Sequence, residues 1–145
     1  MFFKSIRTIQ ILIFLFIFSF NATSQNRQGV ESAMRQYDHL ILSMDVDSIA
    51  LLYTPDGDLG NIAHGRDSIR NFLYRFKNFK VLSQISKTDS ISIYNDTAIQ
   101  KGTYQQKTVI SANDTVSVKG LFTAKWIFLN GSGWHIKQME TVPIK

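Results

Sequence analysis

The amino-acid sequence predicts an α+β fold, a cone-shaped, curved antiparallel sheet wrapped around three N-terminal helices. Three observations point there. Apolar residues before Asn78 recur at helical spacing, whereas those after Phe79 alternate. Hairpin turn signals at Asn95-Asp96, Asn113-Asp114 and Asn130-Gly131-Ser132-Gly133 stand 18 and 17 residues apart, which leaves strands of about 14 residues, well beyond the usual length. Gly102 and Gly120 each fall seven residues after the preceding turn Asn, where a bulge or glycine kink bends a strand too long to stay flat. A curved sheet with helices across its open side encloses an interior.

Taken in order, the chain starts with a secretory signal peptide over residues 1–24. Lys4 and Arg7 form its basic start, Ile9 to Phe20 its apolar run, and Asn21-Ala22-Thr23-Ser24 places small residues before a cleavage site near Ser24. The apolar run falls short of the roughly 20 residues that span a bilayer, so no membrane anchor is expected after cleavage. The working protein is then an exported single domain, residues 25–145, in the periplasm or outside the cell.

Val30, Ala33, Met34, Tyr37, Ile41 and Met44 mark one buried stripe of a first helix. A second helix starts at Asp45-Val46-Asp47-Ser48, where a carboxylate can cap free N–H groups, and runs through Ile49, Leu52 and Tyr53. Thr54-Pro55-Asp56-Gly57 reads as the turn that ends it. Leu59 to Ala63 reads as a short strand broken by His64-Gly65, and Arg66 to Phe76 as a third helix with Ile69, Phe72, Leu73 and Phe76 on one side. The four long strands follow.

Composition excludes several classes of function. The Cys count is 0, which removes disulfides, zinc-thiolate sites, iron–sulfur clusters and thiol nucleophiles. Of the net charge of +5, Lys4 and Arg7 supply two. The modest remainder, without interleaved aromatic platforms, does not point to nucleic acid. His39, His64 and His135 are the only histidines and show no metal-ligand spacing, so no metal is expected. Gly-x-Ser-x-Gly and phosphate-loop motifs are absent, and no cofactor is expected.

Several ordered pieces together resemble the nuclear-transport-factor-2-like superfamily, in its SnoaL-like and ketosteroid-isomerase-like branch. They are Tyr37, Asp45-Val46-Asp47, Leu52-Tyr53-Thr54-Pro55-Asp56-Gly57, Gly65-Arg66-Asp67-Ser68-Ile69, Gly120 to Trp126 and Gly133-Trp134-His135-Ile136. The resemblance covers essentially all of residues 25–145. It implies a cone with a pocket between helices and sheet, and a homodimer paired through the outer sheet face. It implies no single activity. Ketosteroid isomerases pair a carboxylate base with a Tyr donor and a protonated Asp. Tyr37 falls where the resemblance places the Tyr, but the base position falls near Asn61 and the protonated-Asp position near Lys125 or Trp126. None of those replaces a carboxyl group.

Strand alternation supplies the other candidates. Trp134, Ile136, Gln138 and Glu140 share one parity, so Gln138 and Glu140 point into the cone if Trp134 and Ile136 do. A carboxylate against an apolar wall can serve as acid or base, which makes Glu140 a catalytic candidate. The bland alternative is a solvated carboxylate at the end of a sheet. His64, at a plausible rim beside Asn61, is a second candidate, or else a turn residue. Tyr37 is the donor candidate, or else a packed core tyrosine. The expected pocket lining is Tyr37, Tyr53, Asn61, Tyr104, Trp126, Gln138 and Glu140. The function expected is binding of a small, largely apolar molecule without a recognisable catalytic set. The alternatives are an isomerase or dehydratase using a pocket Glu or His with a Tyr donor, and a protein-interaction or structural module acting through its sheet face.

Overall fold

The computed structural model describes residues 25–145, so the signal-peptide expectation lies outside the described residues. The elements run α1 (Arg27–Ser43), α2 (Val46–Leu52), β1 (Tyr53–Leu59), β2 (Ala63–His64), α3 (Arg66–Tyr74), β3 (Lys80–Tyr94), β4 (Thr97–Ser111), β5 (Asp114–Leu129) and β6 (Gly133–Pro143). Among the described residues, no helix is long and apolar enough to cross a membrane.

Helix α1 begins where the Asn26 side chain accepts a hydrogen bond from the Gly29 N–H at 3.0 Å. Such a side chain satisfies one of the N–H groups that a helix start leaves unpaired. Met44 ends the helix in the left-handed region, at φ 54°. Asp45 then caps α2, accepting from the Ser48 N–H and hydroxyl at 3.1 and 2.7 Å. Those two bonds hold its carboxyl below the ordinary carboxylate value.

The six strands form one sheet in the order β2-β1-β6-β5-β4-β3. The meander from β3 to β6 is antiparallel throughout, and β1 joins it parallel to β6. The curved sheet and three helices make the cone that the alternation and turn spacing predict. The chain between α2 and α3 differs from its local reading. Tyr53-Thr54-Pro55-Asp56-Gly57 opens a strand instead of closing a helix. The strand expected at Leu59 to Ala63 is split by a turn at residues 60–62, with Leu59 ending β1 and Ala63 opening β2, in which His64 continues the strand it was expected to break. Pro55 and Gly57 fit here because the β1–β6 ladder is interrupted between Tyr53 and Asp58, where a missing ladder donor costs little.

Strands β3 and β4 bend at irregularities between Val81 and Ser83 and between Thr88 and Ser90, the second facing Gly102. Gly120 lies under the Tyr104 ring, whose Cε1 would stand 2.5 Å from an added Cβ. Both glycines therefore sit where backbone or ring crosses too closely for a side chain. The core fills the narrow part of the cone, where Val30, Ile49, Ile69, Trp126 and Ile136 are fully enclosed.

Candidate functional site

One structural detail decides which residues face the interior. In the β5–β6 ladder Trp126 pairs with Ile136, but its neighbour Lys125 pairs with Gln138. Lys137 is the extra residue of a β-bulge, and its ammonium reaches outward to the Asp56 carboxylate at 2.7 Å. Side chains alternate with a period of two, so one unpaired residue reverses every side chain after it. Trp134 and Ile136 point inward as parity requires. Beyond the bulge Met139, only 2 % exposed, takes the inner face, and Gln138 and Glu140 turn away from it.

A cavity of about 240 Å³ occupies the cone between α1, α3 and the sheet. Its wall is apolar along Met34, Ile41, Phe72, Phe122 and Met139. Its polar groups are Tyr37 on α1, Gln84 and Ser86 on β3, Tyr104 and Gln106 on β4, and Thr141 on β6. A second chamber of about 330 Å³ adjoins it toward the α1 C-terminus and the β4–β5 hairpin. Ile41, Leu73, Gln106 and Val118 line both chambers.

The expected site residues divide between four places. Tyr37 and Tyr104 line the cavity. Tyr53 and Trp126 lie behind it, 1 % and 0 % exposed, as parts of the core. Asn61, His64 and Gln138 border an open polar depression with Asp58. There His64 Nδ1 pairs with the Asp58 carboxylate across the β1–β2 ladder. Glu140 is exposed and accepts a hydrogen bond from Gln138 Nε2 at 2.6 Å. Glu140 and His64 thus stand apart from the chamber that holds Tyr37. Among the described residues no group of three His, Asp or Glu is placed to hold a metal ion.

Sequence reasoning missed Gln84, Ser86, Gln106, Met139 and Thr141. Gln106 shares the parity of Tyr104, which was signal enough to find it. Met139 follows Ile136 by three residues, and an apolar residue at that spacing is the trace of the bulge in the sequence.

The polar side is organised by Asp38, on α1 beside Tyr37. Its carboxylate accepts from Gln84 Nε2 at 3.1 Å, from the Ser86 N–H at 2.9 Å and from the Ser86 hydroxyl at 2.7 Å. These bonds tie α1 to β3 and hold two cavity side chains in place.

Tyr37 stays protonated under all ordinary conditions. Burial pushes its hydroxyl up to about 12, a hydrogen bond with Tyr53 offsets part of this, and the nearby Asp38 charge adds to it. Tyr53 is raised well above its ordinary value by burial, by the charge Tyr37 would carry and by the same hydrogen bond. A neutral phenol donates or accepts a hydrogen bond and is no base. The sign of the pH dependence follows. Unfolded tyrosines lose their protons near pH 10, whereas folded Tyr37 keeps its own, so the folded state binds more protons above that pH. The stabilisation is complete below pH 10 and is lost as pH rises toward 12, on the order of 2–3 kcal/mol for Tyr37. Urea midpoints at pH 9, 10 and 11 should fall in the wild type and fall less in Tyr37→Phe. Parallel slopes for the two proteins would refute the assignment.

No family profile and no curated protein sequence matches the chain. Solved structures do match its fold. A ketosteroid isomerase-like protein from Erwinia carotovora superposes with a TM-score of 0.69 at 15 % identity, over 80 % of this chain and 94 % of its own. An NTF2-like protein with a cystatin-like fold from Novosphingobium aromaticivorans gives 0.68 at 14 % identity, over 83 % of each chain. A structure from Catenulispora acidiphila in complex with S-DNPA gives 0.68 at 12 % identity, over 79 % of this chain and 90 % of its own. At these identities the likeness is one of fold.

Proposed function

We propose that this nuclear-transport-factor-2-like cone binds a small, largely apolar molecule in the cavity between α1, α3 and the sheet. The observation that carries the reading is the cavity itself, a largely apolar lining with a few hydroxyl and amide groups. Binding sites for small molecules commonly combine an apolar lining with a few placed polar groups. The Catenulispora structure, a chain of this fold in complex with S-DNPA, supports the reading. The protein is proposed to act after export and as a homodimer. Leu121 and Val142, paired across β5 and β6 and exposed, are apolar residues that such a dimer would cover.

A catalytic role is a second reading, and the Asp58–His64 pair is what favours it. The Asp58 carboxylate fixes the orientation of an imidazole whose ring is otherwise in water. His64 borders the polar depression and Tyr37 lines the cavity, so a joint role would need substrate to reach both. Binding without that pair is the simpler reading.

Native mass spectrometry of the gently purified protein tests the binding reading, with 2-naphthol titration as a defined probe. Thr141 is exposed at the cavity rim, so Thr141→Trp should fill the entrance without disturbing the core. The expected result is a retained small-molecule mass, or 2-naphthol binding, weakened at least about tenfold by Thr141→Trp, the size of effect expected from losing one well-packed contact region. A protein with no retained mass and no affinity for 2-naphthol would reject the proposal.

A further inference from the structure

Resting on that proposal, the two chambers carry a statement about the shape and charge of the ligand. Ile41, Leu73, Gln106 and Val118 line both. Their linings differ. The inner chamber collects Tyr37, Gln84, Ser86, Tyr104 and Thr141, whereas the outer one is built on Met44, Phe76, Phe79, Val81, Ile110 and Val116, with Thr108 its one polar group besides the shared Gln106. The two adjoining chambers therefore differ, one carrying most of the polar groups and the other nearly apolar.

Neither chamber is lined by an Asp, Glu, Lys, Arg or His side chain. An ionised group placed inside would lose its hydration without a counter-charge in contact, which is costly in an apolar surround. Asp38 sharpens this. It stands behind Gln84 and Ser86 and draws the Ser86 hydroxyl proton and a Gln84 N–H toward itself. Besides the second Gln84 N–H, these two side chains then offer a ligand acceptors, the Gln84 carbonyl oxygen and the Ser86 Oγ lone pairs. The carboxylate charge behind them repels an anionic end group. A neutral hydroxyl, which can donate to these acceptors, fits the inner end.

We infer that the cavity takes an elongated neutral amphiphile, with a hydroxyl-bearing end in the inner chamber against Ser86 and Gln84. Its hydrocarbon chain passes between Ile41 and Val118, which line both chambers, to lie against Phe76, Phe79 and Ile110. The outer chamber then adds affinity in proportion to chain length, and a compact ring uses the inner chamber alone.

Calorimetric titration of the protein with 1-hexanol, 1-octanol and 1-decanol tests this, with 2-naphthol as the compact probe. Sodium decanoate and decylammonium chloride at pH 7 test the charge. Affinity should rise roughly fourfold per added methylene, the factor that burying one CH₂ group gives. Decanoate and decylammonium should each bind at least about tenfold more weakly than 1-decanol, given the cost of dehydrating an ion in an apolar site. Ile110 is 37 % exposed, so the fold is expected to tolerate Ile110→Asp. It should flatten the chain-length series and leave 2-naphthol affinity unchanged. If 2-naphthol binds and 1-decanol gains nothing over 1-hexanol, the elongated ligand is wrong and the binding proposal stands. If either ion matches 1-decanol, the neutral end is wrong. If neither alcohols nor 2-naphthol bind and no mass is retained, the binding proposal fails and takes this inference with it.

Discussion

Gly102→Ala is expected to destabilise the protein by about 3 kcal/mol or more, at the upper end of what overpacking costs, and to lower its melting temperature by roughly 10 °C. The added Cβ would stand 2.0 Å from the Lys87 carbonyl oxygen and 2.8 Å from Phe122 Cε1. The first of these is backbone and cannot swing aside. Gly102 faces Thr88, where the β3–β4 ladder slips by one residue before Ser90. Relief would require β3 to lift from β4 at the bend, next to the segment that carries Gln84 and Ser86. Gly120→Ala is the informative comparison. Its Cβ would meet the Tyr104 ring and the Val142 carbonyl, each at 2.5 Å. The ring can turn and Val142 lies near the end of the last strand, so a smaller loss is expected there. Thermal unfolding of the two variants decides it, and a Gly102→Ala protein melting within 2 °C of wild type, a change equivalent to roughly half a kcal/mol, would refute the close crossing.

Trp126→Phe should cost about 3–4 kcal/mol, the sum of a cavity term and an orphaned acceptor. The indole N–H donates to Gln100 Oε1 at 2.9 Å, and Gln100 Nε2 donates to Thr88 Oγ1 at 2.8 Å. Trp126 and Gln100 are both 0 % exposed. A buried amide survives in the core only because each of its ends has a partner, and phenylalanine withdraws one. Gln100→Leu commits the opposite offence and leaves the indole N–H unpaired. The double variant removes both polar groups, so its loss should be smaller than the sum of the single losses by roughly 1–3 kcal/mol. Urea denaturation of all four proteins measures the coupling. Additive losses would mean that the amide and the indole do not stabilise one another.

These two sites bear on function through geometry rather than chemistry. The Thr88–Gln100–Trp126 chain joins three strands, and Gly102 faces the β3–β4 irregularity and pairs with Phe122, which lines the cavity. Asp38 performs the matching task from the helical side, tying α1 to β3. The cavity is therefore held by polar bonds on the faces that a purely apolar packing would close.

Most elements were legible in the sequence because their cause is local. Helical spacing from Val30 to Ile41, the Asp45 cap and the Asn turns at 95, 113 and 130 each act within a few residues. Gly102 was legible as a bend because a strand longer than about 10 residues must twist out of plane, whereas Gly120 keeps its register and marks a close crossing under Tyr104. Tyr53 to Gly57 was misread for the complementary reason. Its turn-like residues are local signals, and a parallel partner, β6, lies some 80 residues away and overrides them.

The site shows the same division at higher stakes. Alternation alone determined the inner face of β4 and β5, and with it Tyr104, while the helical stripe determined Tyr37. Gln138 and Glu140 turn outward because Lys137 has no partner on β5, and Met139 and Thr141 take their place. Alternation fixes which residues share a face only while every residue is paired, and whether one is skipped depends on the register of the neighbouring strand. The sequence by itself thus determined the cone, its turns and its bends. Only the tertiary structure, through strand pairing, decided which side chains look into the cavity.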